Sequence, residues 1–423
     1  MRKKTGTFFQ KTIKAFKVLG PGLITGASDD DPSGIATYSQ AGAGFGYATL
    51  WTALLTFPLM AAVQEMCARI GMVTSKGLTG TLREYYPRSF LYFLLLFSFP
   101  AILLNIGADI AGMGAVANLL FPSINSQIFC VLFTAILLVC IVYLPYQKIT
   151  AILRYLCLTL LMYLVVPFIV HVDWREVFRN TFMPHITFTK DSLNILVAIL
   201  GTTISPYLFF WQATMEAEDM KKGVKPVMVN KRLIINMQKD VSFGMFFSNV
   251  VMFFIILTTG AVLFKNGFHQ IDTVEQAAAA LKPLAGNLSY LLFALGVIGT
   301  GFLAIPVLCG SLSYIFSETF GWKGGLNDKL HEAKGFYTIV SISLILGLLI
   351  NSLGISPIKV LVYTAVLYGL TAPVLIAVIM HICNNKKIMG HRTNKPISNI
   401  LGFLTLILMT AAAVLLLYLQ FVA

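Results

Sequence analysis

The sequence predicts an all-α polytopic membrane protein, and three observations carry the prediction. Of 423 residues, 57% are hydrophobic and only 12% charged, about half the charged share of a soluble domain. The charges also cluster: residues 241–264, 283–317, 335–358 and 396–423 contain no Asp, Glu, Lys or Arg. Each of these runs exceeds the roughly 20 residues that a helix needs to cross ~30 Å of hydrocarbon. Soluble enzymes, disordered chains and single-anchor receptors are excluded together.

Taken in order, eleven crossings account for the pattern. They lie near 17–44, 46–71, 89–120, 126–145, 150–171, 192–219, 233–264, 285–319, 335–352, 356–384 and 397–422. Of the 31 Lys and Arg residues, only Arg175, Arg179, Lys190, Lys265, Lys282 and Lys359 fall on one side of this alternation. The positive-inside rule then puts the N-terminus in the cytoplasm and, after an odd number of crossings, the C-terminus outside. The net charge of +13 is spread over short connections, not gathered on one face, so no nucleic-acid partner is expected. The partners expected are the bilayer and small ions, with the chain acting as a monomer. Six cysteines, none spaced as CxxC, read as small core residues. The first apolar run soon meets Asp29-Asp30-Asp31-Pro32, so no cleavable signal peptide is expected.

Two crossings do not read as plain lipid-facing helices. Crossing 1 is GPGLITGASDDDPSGIATYSQ, with three carboxylates before Pro32, Ser33 and Gly34. Crossing 6 is LVAILGTTISPYLFFWQATMEAED, with Gly201, Thr202, Thr203 and Ser205 before Pro206. Proline removes a backbone donor and glycine loosens the helix around it. Inside a membrane the freed backbone groups need protein, water or a ligand as partners. Crossing 6 begins five crossings after crossing 1, hence from the opposite side. Two five-helix units related in this way form an inverted repeat, whose broken first helices mark a midplane site. The chain then divides into residues 1–171, the first unit; 172–384, the second; and 385–423, a cytoplasmic connection with the last crossing.

The residues at the breaks set the ligand chemistry. Asp31 supplies a negative charge, and Ser33, Thr202, Thr203, Ser205 and unwound carbonyls supply neutral oxygens. No His, Met or Cys lies within four residues of either break, so a hard cation fits better than a soft one. Asp29 and Asp30 are candidates for holding a hydrated ion nearby, as a vestibule. Glu65 precedes Arg69 by four residues and is either an intrahelical ion pair or part of an ion path. Asp109 stands among small residues and is a candidate to line a water-filled cavity. Glu216, Glu218, Asp219 and Asp240 border a basic connection and are expected in solvent. No nucleophile–base pair, metal-hydrolase motif or nucleotide loop argues for an enzyme, and no resident cofactor is expected.

The stretches GPGLITGASDDDPSG, PLMAAVQEMCARIGMVTSKGLTGTLREYYP and GTTISPYLFFWQA resemble the Nramp family of divalent metal-ion transporters. The resemblance implies the leucine-transporter fold, an inverted five-plus-five repeat with an eleventh helix. The family's Asp-Pro-Gly-Asn reads here as Asp31-Pro32-Ser33-Gly34, so the carboxylate stays and the amide is gone. Its Met-Pro-His reads Ser205-Pro206-Tyr207, which removes the thioether and the imidazole. Thr202 takes the position whose carbonyl coordinates metal, and the Asp-x-x-Glu of crossing 3 reads Asp109-Ile-Ala-Gly112. These departures resemble the magnesium-transporting branch. They imply a facilitator of Mg2+ with Mn2+ that works without proton coupling, its metal seat being Asp31, Ser33, Gly34, Thr202 and Ser205. Asp29, Asp30, Glu65, Asp109, Thr203 and Tyr207 would stand around that seat. A proton-coupled Mn2+/Fe2+ transporter of the ordinary kind is the alternative. An amino-acid transporter on the same fold is a third reading, opposed by the acid beside Pro32.

Overall fold

The computed structural model describes residues 20–144, 148, 158–184, 188–221, 229–351 and 356–421, and among them the regular structure is helical throughout. Crossing 1 is two helices, α1 (Pro21–Asp29) and α2 (Pro32–Phe45). Asp30 leaves the helical region at φ −83°, ψ 51°, and Asp31 is extended at φ −70°, ψ 172°. Pro32 restarts the helix, where its preset φ is an advantage and its missing N–H has no partner to lose. Then come α3 (Trp51–Thr74), the short α4 (Leu78–Tyr85), α5 (Arg88–Leu120) and α6 (Ser126–Tyr143). Residues 150–157 of crossing 5 lie outside the described residues; its later part includes α7 (Met162–Ile169).

After α8 (Trp174–Phe182), crossing 6 is also split, into α9 (Lys190–Thr203) and α10 (Pro206–Lys221). Ile204 sits between them at φ −110°, ψ 58°. Crossings 7 to 11 are α11 (Lys231–Val262), α12 (Ser289–Phe320), α13 (Lys334–Ile350), α14 (Pro357–Asn384) and α15 (Pro396–Phe421). By contrast with Pro32 and Pro206, the prolines Pro58, Pro100, Pro306 and Pro373 lie inside continuous helices.

The packing exchanges partners between the two halves. The second piece of each broken crossing lies on the second crossing of the other half, α2 along α11 and α10 along α3. The two third crossings, α5 and α12, lie against each other. Crossing 6 is almost wholly buried, whereas α6 and α15 turn Ile128, Val131, Phe403 and Ile407 outward, as lipid-facing helices do. The breaks therefore sit at the centre of the bundle.

Small residues let α1 approach α11 closely. A Cβ on Gly26 would overlap the Gly244 carbonyl, and one on Gly244 would overlap that of Gly22. Gly26→Val is accordingly expected to destabilise the protein by about 1–3 kcal/mol through overpacking. Thermal unfolding in detergent measures this, and an unchanged midpoint would refute the close contact.

Three of the four acids expected in solvent are instead packed against neighbours. Glu216 is 6% exposed and accepts from Gln212 Nε2 at 3.1 Å. Glu218 accepts from the Tyr314 hydroxyl at 2.6 Å, and Asp240 from the Gly22 N–H at 2.7 Å. They stand on α10 and in the first third of α11 and find donors on α1, α10 and α12, so nearness to a basic connection did not leave them free in water. Asp219 is exposed, as expected.

Candidate metal-ion site

The two breaks meet. A Cβ on Gly34, just past the first, would stand 3.4 Å from Thr202 Oγ1, just before the second. Tyr207, in the first turn of α10, donates its hydroxyl to the Ser28 carbonyl near the end of α1 at 2.9 Å. The Tyr38 hydroxyl on α2 lies 3.1 Å from Thr203 Oγ1 on α9. The first break is thus tied to the second by two pairs of half-helices, α1 with α10 and α2 with α9.

Asp31 caps α2 and is 2% exposed. Its Oδ1 accepts the Gly34 N–H at 2.7 Å and its Oδ2 accepts Asn105 Nδ2 at 3.0 Å. These donors, and the Ser33 N–H that also faces the carboxylate, are neutral, and the carboxylate keeps acceptor capacity beyond them. An ionisable group placed so deep in a membrane bundle marks a functional site by default.

The other expected ligands are placed differently. Ser33 Oγ donates to the Leu361 carbonyl at 2.9 Å and lies 3.3 Å from Thr364 Oγ1, fastening α2 to α14. Ser205 Oγ donates to the Thr202 carbonyl at 2.5 Å, which leaves that carbonyl one lone pair. Gly34 offers its N–H to Asp31. In this conformation Asp31 and the Thr202 carbonyl retain acceptor capacity at the junction, while Ser33, Gly34 and Ser205 use their donors to hold the protein's own oxygens.

Asp29 and Asp30 do not open on a vestibule: they are 0% and 1% exposed and face α11, 2.8 Å and 3.1 Å from Ser248 Oγ. Glu65 forms the intrahelical pair, 3.1 Å from Arg69 Nε, and also accepts from Gln238 Nε2. Arg69 in turn donates to the Arg392 carbonyl and Asn394, so this pair anchors the segment after α14. Asp109 is wholly buried on α5, one turn beyond Asn105. A Cβ on Gly112, on the same face, would stand 3.6 Å from Pro32 Cβ, so this stripe of α5 faces the first break.

Asn105 and Ser248 were not singled out from the sequence. Asn105 carried a usable signal, its i, i+4 spacing to Asp109; Ser248 carried none. Among the described residues no three or more His, Cys, Asp or Glu side chains gather in metal-holding geometry. A cation at the breaks would therefore rely on carbonyl, amide and hydroxyl oxygens beside carboxylate.

Residues 22–419 match the family model described as natural resistance-associated macrophage protein-like, Nramp. The chain belongs to the Nramp family. Similar proteins include the divalent metal cation transporter MntH of Caldanaerobacter subterraneus subsp. tengcongensis, 28% identical over 414 residues, covering 96% of this chain and 94% of that one. MntH of Clostridium acetobutylicum is 26% identical over 409 residues, covering 96% and 91%. Among solved structures, the Eremococcus coleocola manganese transporter, in complex with an aromatic bis-isothiourea substituted compound, superposes with a TM-score of 0.76 at 18% identity over 97% of this chain and 87% of that one. Mhp1 in its inward-facing conformation gives 0.52 at 13% identity, covering 95% and 91%. This Nramp chain has the leucine-transporter fold that the resemblance implied, and it is a multi-pass membrane transport protein, not an enzyme.

Proposed function

We propose that this protein carries divalent metal ions across the membrane by alternating access, with Asp31 and the Thr202 carbonyl at the centre of the ion's seat and Mn2+ among its cargo. The observation that carries the proposal is Asp31 itself, a deeply buried carboxylate at the junction of two broken helices, held only by neutral donors. Support for the metal comes from relatives named as divalent metal cation transporters and from the fold's likeness to a manganese transporter. The five-helix units 1–171 and 172–384 would rock about the tied half-helices, with 385–423 appended. A cytoplasmic N-terminus and an external C-terminus belong to the same reading, as does action as a single chain.

The second reading is a Mg2+ facilitator without proton coupling. It is favoured by the residues at the breaks: Ser205 in place of a thioether, Tyr207 in place of an imidazole, and Gly112 in place of a glutamate. The named relatives do not support it, so the manganese reading leads. Uptake into proteoliposomes of Mn2+, Mg2+ and Ca2+, with internal pH recorded, separates the two. Mn2+ uptake that persists in excess Mg2+ and acidifies the lumen is the expected result. Mg2+ uptake of comparable rate without acidification beyond empty vesicles would establish the second reading, and no divalent uptake would overturn both.

A further inference from the structure

The face of α5 toward the first break carries acceptor oxygens with nothing to accept. Asn105 is 0% exposed, and while its Nδ2 holds Asp31, its Oδ1 has no hydrogen-bond partner. Asp109, one turn on, is 0% exposed; neither carboxylate oxygen completes a hydrogen bond, while the Ser33 N–H and the Asp31 carboxylate at the first break lie within electrostatic range of it. Across from it on α14, the Tyr368 hydroxyl is also buried without a partner, within electrostatic range of both Asp31 and Asp109. Leaving a buried polar group unsatisfied is costly, and more so for a charged one. Native structures avoid such groups unless something else satisfies them. These oxygens come from two helices, and Asp31 is bonded to the first residue and within electrostatic range of the other two.

We propose that α5 supplies the second half of that seat: Asp109 contributes a second carboxylate and Asn105 an amide oxygen to the ion that Asp31 holds. This deepens the divalent-ion reading and rests on it. Two carboxylates balance a 2+ charge, which one carboxylate does not, and buried charges must be paired. Carboxylate and amide oxygens also belong to the donor set that hard divalent cations take. Asn105 joins by rotating its amide: its Nδ2 faces Asp31 at 3.0 Å, and turning it over would present Oδ1 to an ion that neutralises the carboxylate. The amide therefore both orients Asp31 before the ion arrives and binds afterwards. Gly112 leaves this stripe open, since a larger residue there would press on Leu361 Cδ1, 3.2 Å from its Cβ.

The test uses the full chain in detergent, with Mn2+ alone as probe, read by titration calorimetry and by the ion-induced rise in unfolding temperature. Asp109→Asn and Asn105→Leu are each expected to weaken Mn2+ binding at least tenfold and to abolish most of that rise, while the ion-free protein melts no lower than wild type. Asn105→Asp, which keeps an oxygen for the ion, is expected to retain binding. If Asp109→Asn and Asn105→Leu bind Mn2+ like wild type while Asp31→Ala does not, the α5 contribution is refuted and the divalent-ion reading stands. If Asp31→Ala itself binds like wild type, that reading falls as well. Variants that melt lower without Mn2+ yet keep the full ion-induced rise assign α5 a purely structural role and overturn the proposal.

Discussion

Asp31→Ala is expected to reduce divalent-ion uptake to the background of empty liposomes while leaving a folded, membrane-inserted protein. Two effects of the change on stability oppose each other. Losing the cap on α2 and the Gly34 N–H bond costs roughly 0.5–2 kcal/mol. Removing a buried carboxylate whose nearest donors are neutral relieves a desolvation penalty of several kcal/mol. The protein should therefore survive, and the loss of transport reports the ion's seat and not the fold. Asp31→Asn sharpens the experiment, because an amide oxygen can still cap Gly34 while the charge is gone. Equal loss in both variants assigns the effect to charge. Wild-type uptake in either would remove Asp31 from the seat and the proposed function with it.

Most of the crossings and both breaks were legible in the sequence for a simple reason. Long charge-free runs report a lipid environment, and a proline preceded by Asp, or by Gly, Thr and Ser, stands out within them. The breaks at Asp30–Asp31 and Ile204–Ser205 fall where those residues are. What the sequence did not disclose is which neighbour each polar side chain would find. Ser33 reaches Leu361 and Thr364 across more than three hundred residues of chain. Asp240 caps α1 through Gly22, far away in the sequence. Hydropathy describes the surroundings of a segment, whereas a hydrogen bond depends on the face that a remote helix presents. Ser205 shows the same limit locally: it reads as a ligand by type and position, yet its hydroxyl turns onto the Thr202 carbonyl within its own turn. Asn105 was missed although it stands one helical turn before Asp109, because that spacing gains meaning only once its neighbour is known to be Asp31.

Ser205→Met combined with Gly34→Asn is expected to shift selectivity from hard toward soft ions by at least tenfold, about 1.4 kcal/mol in relative binding. The replaced serine matters in two ways. Its hydroxyl no longer occupies a lone pair of the Thr202 carbonyl, so that oxygen gains capacity for an ion. The thioether then offers a soft donor at the junction, which favours Cd2+ and contributes nothing to Mg2+, an ion that prefers oxygen ligands and keeps its waters. Gly34→Asn is the tighter change. A Cβ there lies 3.2 Å from the Asp29 carbonyl and 3.4 Å from Thr202 Oγ1. The Thr202 side chain can rotate away, while the Asp29 carbonyl must move by a few tenths of an ångström at the break, where the backbone is already free of helical bonds. Ser205→Met alone should therefore produce most of the shift, with the asparagine adding an amide oxygen that serves Mn2+ as well as Cd2+. Competition of Cd2+ and Mg2+ against Mn2+ uptake in proteoliposomes measures the effect. A wild type that already prefers Cd2+ over Mg2+ by orders of magnitude would show that oxygen donors at the breaks do not set the selectivity.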